Sequence, residues 1–190
     1  MPSPSKLCII YGSAREGRFC DVVAGWVRTE FERRGLTAIS IVDPLDDLDT
    51  ADRNAKLAAA DAFVVVTPEY NHSFPAPLKA IIDAAKSEWE AKPVAFVSYG
   101  GISGGLRAVE QLRGVFAELH AVGIRDQVSF AFARSAFDPS GKPRDDEAVG
   151  QAFDVMVDRL SWWAEALSSA RAKRPYREKR PDAGPAPQEA

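Results

Sequence analysis

Cysteine and histidine are scarce: the 190-residue chain holds two of each. Cys8 and Cys20 form no C-x-x-C pair and do not cluster with His72 or His120, so neither a disulfide framework nor a structural zinc site is supported. A reducing compartment is the expectation. Cations are not in excess either: 24 Lys and Arg stand against 27 Asp and Glu, a net charge of -3. Nucleic-acid binding needs a clear surplus of positive charge, so no such partner is expected. Long apolar runs are also missing. The longest, such as 62–66 and 93–97, are strand-sized and far below the roughly 20 residues that cross a bilayer. The stretch 1–11 lacks the apolar core and cleavage site of a secretory signal, so no membrane contact and a cytoplasmic location are expected. With 13 Gly, 13 Pro and 46% hydrophobic residues, composition excludes collagen, coiled coil and wholesale disorder and fits one globular domain.

What is present is a rhythm. Apolar runs at 6–11, 37–42, 61–67, 93–99 and 127–133 read as five strands, separated by stretches of helical spacing such as 21–35 and 106–122. The strand runs are continuous rather than alternating, which points to a parallel sheet buried on both faces and hence to a three-layer α/β sandwich. A helix over 77–89 carries Leu78, Ile81, Ile82 and Ala85, a stripe suited to the core or to a subunit interface. A final helix over 147–168 closes the body, and the domain is placed at 1–172. From 173 to 190 the chain is basic, then proline-rich, with no apolar periodicity, and is expected to be a disordered tail. The acidic loop of Asp43, Asp46, Asp47 and Asp49 reads most simply as a solvated connection.

Three loops follow strand ends with unusual chemistry. After the first strand comes Gly12-Ser13-Ala14-Arg15-Glu16-Gly17-Arg18-Phe19-Cys20, opening a helix. Free backbone N–H groups and the helix dipole favour a phosphate at such a place, and Ser13, Arg15 and Arg18 add donors suited to phosphate oxygens. A nucleotide-triphosphatase loop is not matched: Arg18 and Phe19 stand where Lys and Ser or Thr are needed. The dinucleotide fingerprint is broken at Ala14. Cys20 reads as a small residue offering its backbone N–H rather than as a reactive thiol. After the third strand comes Pro68-Glu69-Tyr70-Asn71-His72, and after the fourth Tyr99-Gly100-Gly101-Ile102-Ser103-Gly104-Gly105, whose glycines permit close passage of a flat ligand.

Gly12-Ser13-x-Arg15, Pro68-Glu69-Tyr70-Asn71 and Tyr99-Gly100-Gly101, in this order, resemble the NADPH-dependent FMN reductases of flavodoxin-like fold. The resemblance covers the whole expected body and implies a five-stranded parallel sheet of order 2-1-3-4-5. It implies bound FMN and NAD(P)H as co-substrate, with Ser13, Arg15, Arg18, Phe19 and Cys20 at the phosphate. Pro68, Glu69, Tyr70 and Asn71 would border the flavin ring, and Tyr99, Gly100, Gly101 and Ser103 its far edge. No residue is implied as a catalytic acid or base, since hydride passes from NAD(P)H to the flavin N5. The electrons then go to a small acceptor, a quinone, free flavin, azo compound or metal oxyanion, in a ping-pong cycle. A homodimer or homotetramer is implied as well.

Two other readings compete with this one. Gly101-Ile102-Ser103-Gly104-Gly105 matches the G-x-S-x-G of serine hydrolases, but His120 falls some ~25 Å along the same expected helix at ~1.5 Å per residue. A flavodoxin-like electron carrier or flavin sensor is the stronger rival. Carriers that dock on basic partners rely on strong negative charge, and -3 is mild.

Overall fold

In the computed structural model, which describes residues 6–177, the apolar runs form five strands, all parallel to their neighbours. They are β1 (Leu7–Tyr11), β2 (Ile39–Val42), β3 (Ala62–Pro68), β4 (Pro93–Tyr99) and β5 (Val122–Phe130). Interleaved with them are α1 (Cys20–Arg33), α2 (Thr50–Ala59), α3 (Ala76–Asp83) and α4 (Leu106–Glu118), followed after β5 by α5 (Ala133–Ala136) and α6 (Asp146–Lys173). The sheet order is β2-β1-β3-β4-β5, the flavodoxin-like order expected.

β3 and β4 are buried at every position, as a parallel sheet covered on both faces requires. Strand alternation divides the core in two. Leu7, Ile9, Val64, Val66, Ala95 and Val97 face Trp26 and Phe31 of α1 and Phe153 and Met156 of α6. Cys8, Ile10, Phe63, Val65, Val94 and Phe96 face Leu57 of α2, Leu78 and Ile82 of α3, and Leu112 and Phe116 of α4. Edge-to-face rings lock each layer: Trp26 meets Phe153 at 5.1 Å, and Trp89 meets Phe63 at 4.8 Å. Leu78, Ile81, Ile82 and Ala85 all belong to the second core, so the apolar stripe of 77–89 packs inside this chain and not at a subunit interface.

Several boundaries differ from the sequence expectation. α4 ends at Glu118, not 122, and β5 begins at Val122, not 127. His120, with φ 58°, reverses the chain between them. The polar stretch after Val122 reads as a loop but is an edge strand, in which Arg125 and Ser129 are exposed. Arg113 of α4 fastens it, donating to the carbonyls of Ile124 at 2.6 Å and Arg125 at 3.0 Å. A register shift between Val94 and Phe96 absorbs the extra residues. α3 stops at Asp83 rather than 89, and the chain turns so that the Trp89 indole donates to the carbonyls of Ile82 and Ala85, both at 3.1 Å. Of the expected tail, Tyr176 meets His120 Nδ1 through its hydroxyl at 2.9 Å and Arg177 pairs with Glu90 at 2.6 Å, while 178–190 lies outside the described residues. No helix among the described residues is long and apolar enough to cross a membrane.

Lys92 ties α2 to the start of β4. Its Nζ donates to the carbonyls of Leu57 at 2.9 Å and Ala58 at 2.8 Å, and burial, with Arg171 adding, pushes its pKa down from 10.5 to about 8. The folded value lies below the unfolded one, so protonation disfavours the folded state. The stability that Lys92 contributes is therefore greatest above about pH 10.5, declines as pH falls to about 8, and is flat below that. Urea unfolding of wild type and Lys92→Met is expected to show a stability difference that shrinks over this window. A difference independent of pH would refute the assignment.

Candidate functional site

β1 and β3 are neighbours, yet the helices that follow them pack on opposite faces, α1 with the first core and α3 with the second. The loops leaving the two strand ends diverge, and such a switch point opens a crevice beyond the carboxyl edge of the sheet. A cleft of about 520 Å³ lies there, within the range of small-molecule sites. Its walls are Arg15 to Phe19 after β1, Pro68 to Tyr70 after β3, Tyr99 and Gly100 after β4, and Phe132 to Ser135 after β5.

The loop after β1 is held by close contact. Gly12 N donates to Val66 O at 2.8 Å, and a Cβ on Gly12 would stand 2.8 Å from that oxygen and 2.9 Å from Thr67 Cα. Only glycine lets β1 leave the sheet so near β3. Ser13 is fully buried and its hydroxyl meets the Tyr70 hydroxyl at 2.8 Å. Above them the Arg15 guanidinium lies over the Tyr70 ring, 3.6 Å from its centroid. Among the described residues, no carboxylate pairs with Arg15. The N-cap of α1 is Phe19, and no side chain caps the helix. Its first-turn N–H groups, which have no intrahelical partner, are therefore open for an anion.

Arg18 has a different occupation. Its guanidinium grips both oxygens of Asp43, donates to Asp21 Oδ1 at 2.8 Å and also reaches Ser13 O. Burial alone would raise the Asp43 carboxyl, but the hydrogen bonds from Arg18 and Leu45 N outweigh it and hold the group below the ordinary carboxylate range. The acidic loop is thus not a plain solvated connection: Asp43 anchors the first loop, and Asp49 caps α2 by accepting from Asp52 N at 2.8 Å. Cys20 Sγ donates to Val66 O at 3.6 Å, and burial pushes the thiol pKa up, which leaves an inert packing residue.

The loop after β3 is a tight antiparallel hairpin in which Tyr70 N donates to Ser73 O at 2.8 Å and Ser73 N to Tyr70 O at 3.0 Å. Asn71 and His72 fill its tip with φ 51° and 67°, the left-handed pair of a type I′ turn. Both are exposed, beyond the cleft wall. Glu69 turns from the cleft floor toward α4, accepting from Ser103 Oγ at 2.7 Å and from Arg107 Nη1 at 2.7 Å. Ser103 is thus engaged with Glu69, and His120 with Tyr176, so the pieces of a hydrolase do not meet. Gly104 and Gly105, at φ 62° and 87°, serve packing: a Cβ on Gly105 would meet Ser98 Cβ at 2.8 Å.

Of the residues singled out from sequence, Arg15, Arg18, Phe19, Pro68, Glu69, Tyr70, Tyr99 and Gly100 line the cleft. Ser13 and Cys20 lie buried, and Asn71, Gly101 and Ser103 stand outside the lining. The wall from Phe132 to Ser135 escaped sequence reasoning because the fifth strand was extended to 133. Its position after a strand end is the signal that could have found it.

A doubly wound parallel sheet with an anion-binding turn at its switch point defines the flavodoxin-like class. The model of NADPH-dependent FMN reductases matches residues 5–135. The chain belongs to that family, whose cofactor is FMN. It is 38% identical to an NAD(P)H-dependent FMN reductase of Schizosaccharomyces pombe, over 53% of this chain and 60% of that one. It is also 38% identical to an NADPH:quinone oxidoreductase of Arabidopsis thaliana, over 55% of this chain and 53% of that one. The chain thus spans little more than half the length of these curated relatives. A flavoenzyme NAD(P)H:(acceptor) oxidoreductase from Paracoccus denitrificans shares the fold with a TM-score of 0.69 at 19% identity, covering 85% of this chain and 98% of that one.

The cleft fits FMN: its lining brings together an uncapped helix start, an arginine with no carboxylate partner among the described residues, aromatic rings and close-passing backbone. Its geometry depends on Glu69. Burial would raise this carboxyl, but the bonds from Arg107 and Ser103 win and hold it below its ordinary 4.5. Its contribution is therefore present above that value and lost as pH falls through the folded pKa. Glu69→Gln is expected to cost about 1–3 kcal/mol at pH 7 and to flatten the acid limb in urea titrations. An unchanged acid limb would contradict this account.

Proposed function

We propose that this protein is an FMN-dependent NAD(P)H oxidoreductase that passes reducing equivalents to a small acceptor by a ping-pong cycle. The observation that carries the reading is the convergence of the loops after β1, β3, β4 and β5 on one cleft with an open helix N-terminus at its end. When bound, FMN would supply the redox chemistry between the nicotinamide and a quinone, flavin, azo compound or metal oxyanion. The chain's own part is to hold and orient. The first-turn N–H groups of α1 and the Arg15 guanidinium would hold the phosphate, and Ser13 braces Tyr70 through its hydroxyl. Pro68, Tyr70, Tyr99 and Gly100 form the walls beside the ring. Tyr99 is buried and its hydroxyl stays protonated, since burial pushes its pKa up.

The reading extends to a homodimer or homotetramer. Ile102 is 78% exposed, Phe132 60% and Leu106 46%; Phe132 lines the cleft and its N–H donates to Gly101 O at 2.8 Å, next to Ile102, while Leu106 opens α4 a few residues on. A second copy resting there would cover the apolar rim and shield the flavin.

The purified protein reconstituted with FMN is expected to show flavin absorption that bleaches when NADPH is added without oxygen, and initial rates with a quinone that give parallel double-reciprocal lines. Bands that persist with both NADPH and NADH would make the protein an electron carrier, and failure to bind FMN would sink the reading. Asn71 is tested by its glycine variant, which keeps the left-handed turn while removing the amide. If the amide meets the flavin ring, Asn71→Gly weakens FMN binding by up to about 10-fold with the melting temperature unchanged. Equal affinity would remove Asn71 from the site.

A further inference from the structure

Arg134 is the cleft's second uncommitted guanidinium. It sits in α5, on the loop after β5, and lines the same cleft as Arg15 and Phe19. Its Cζ lies 5.6 Å from the centroid of the Phe19 ring, and Phe19 is the uncapped N-cap of α1. The charge therefore lies within cation–π range of the N-cap residue of α1, in the cleft that Phe19 lines. Among the described residues no carboxylate pairs with it. Glu16, in the facing loop, lies beyond ion-pair distance of both Arg134 and Arg15, while Glu69 is taken by Arg107. Arg18, the other arginine of the first loop, is already held by Asp43 and Asp21.

The backbone that carries Arg134 is fixed. Phe132 adopts the left-handed region, φ 47° and ψ 48°, which a bulky side chain rarely adopts and which marks a constrained site. Its N–H donates to Gly101 O at 2.8 Å, and Ala133 N donates to Gly100 O at 3.0 Å. From the other side, Arg144 holds the loop through Nε to Ser135 O at 3.2 Å and N to Ala136 O at 2.8 Å. Arg134 is thus a long donor on a pinned base. A phosphate monoester carries close to two negative charges near neutral pH. One helix start and one arginine leave that charge under-matched, and a second arginine completes it with charge-assisted bonds.

We infer that Arg134 is a second cationic ligand of the flavin phosphate, acting with Arg15 across the α1 N-terminus while Arg18 remains a structural residue. The inference rests on the proposed FMN site and adds a residue to it. Riboflavin, which has the same ring and no phosphate, separates the two.

The experiment is a fluorescence titration of FMN and of riboflavin into the full chain and into Arg134→Gln and Arg134→Lys, with circular dichroism as the folding control. Arg134→Gln is expected to weaken FMN about 10- to 100-fold while riboflavin changes less than about twofold, with partial recovery in Arg134→Lys. Raising salt from 50 to 300 mM should weaken FMN more in wild type than in Arg134→Gln. Unchanged FMN affinity, or equal loss of FMN and riboflavin, would overturn the inference. So would a variant whose FMN affinity holds while its KM for NADPH rises relative to NADH, which would place Arg134 on the dinucleotide instead. Wild type that binds neither flavin would defeat the FMN reading itself, an outcome distinct from all of these.

Discussion

Where Gly12 passes β3, the chain has no room for a side chain: a Cβ there would stand 2.8 Å from Val66 O. Much of the site depends on this contact. It sets how far the first loop leaves the sheet, and so where α1 begins relative to the ends of β3 and β4. Because α1 buries Val23, Trp26, Val27 and Phe31 against one face of the sheet, its axis is fixed by packing, and its open N-terminus is held at the crevice. A bulkier residue at position 12 would push the anion cradle away from the walls that Tyr70 and Tyr99 supply. The core and the ligand site are thus one mechanical object, which is how a rigid scaffold gives a loop-built site its precision.

The loops are then tied to one another in sequence around the cleft. Arg18 and Asp43 join the loop after β1 to the loop after β2. Ser13 and Tyr70 join the first loop to the one after β3. Glu69 joins that loop to the start of α4 through Ser103 and Arg107, and Gly100 and Gly101 accept from Ala133 and Phe132 of the loop after β5. Each tie is polar and most are partly buried. Such pairs contribute little net stability once desolvation is counted, and what they do supply is a single arrangement of the groups. A ligand entering such a cleft would meet walls already placed, so less of its binding energy would go to ordering loops.

The parts of this architecture written in hydrophobic pattern were legible in the sequence. β1, β3 and β4 are continuous apolar runs because both faces are covered, and the motifs at their ends mark three of the four cleft walls. What pattern could not show was pairing. Asp43 sits in an acidic stretch that reads as solvent-facing, and nothing local reveals that Arg18 folds back onto it. The start of β5 was hidden for a related reason. β5 is an edge strand that exposes Arg125 and half-buries Asp126, so these consecutive charges mimic a loop, and the support that Arg113 gives its carbonyls comes from a helix ten or more residues away. With the strand placed at 127–133, Phe132 and Ala133 of this wall were absorbed into it and Arg134 was left just beyond its end. Gly104 and Gly105 were legible as special but for a different cause: their neighbours are Ser129, Ser98 and Tyr99, not a ligand.

The division of the arginines follows from desolvation. Arg18 and Asp43 are nearly covered, with side chains 6% and 12% exposed. Turning the Arg18 guanidinium to a phosphate would strand Asp43 as a buried charge without its partner, at a cost that removal of one half of such a pair puts near 3–5 kcal/mol. A phosphate offers Arg18 a similar charge-assisted bond and so cannot recover that loss. Arg15 carries no such obligation. Its stack on Tyr70 leaves its hydrogen-bond donors in the plane of the guanidinium, where an incoming oxygen can reach them without breaking an ion pair. A motif that counts arginines thus does not distinguish one committed to an ion pair within the fold from one whose donors have no carboxylate partner among the described residues.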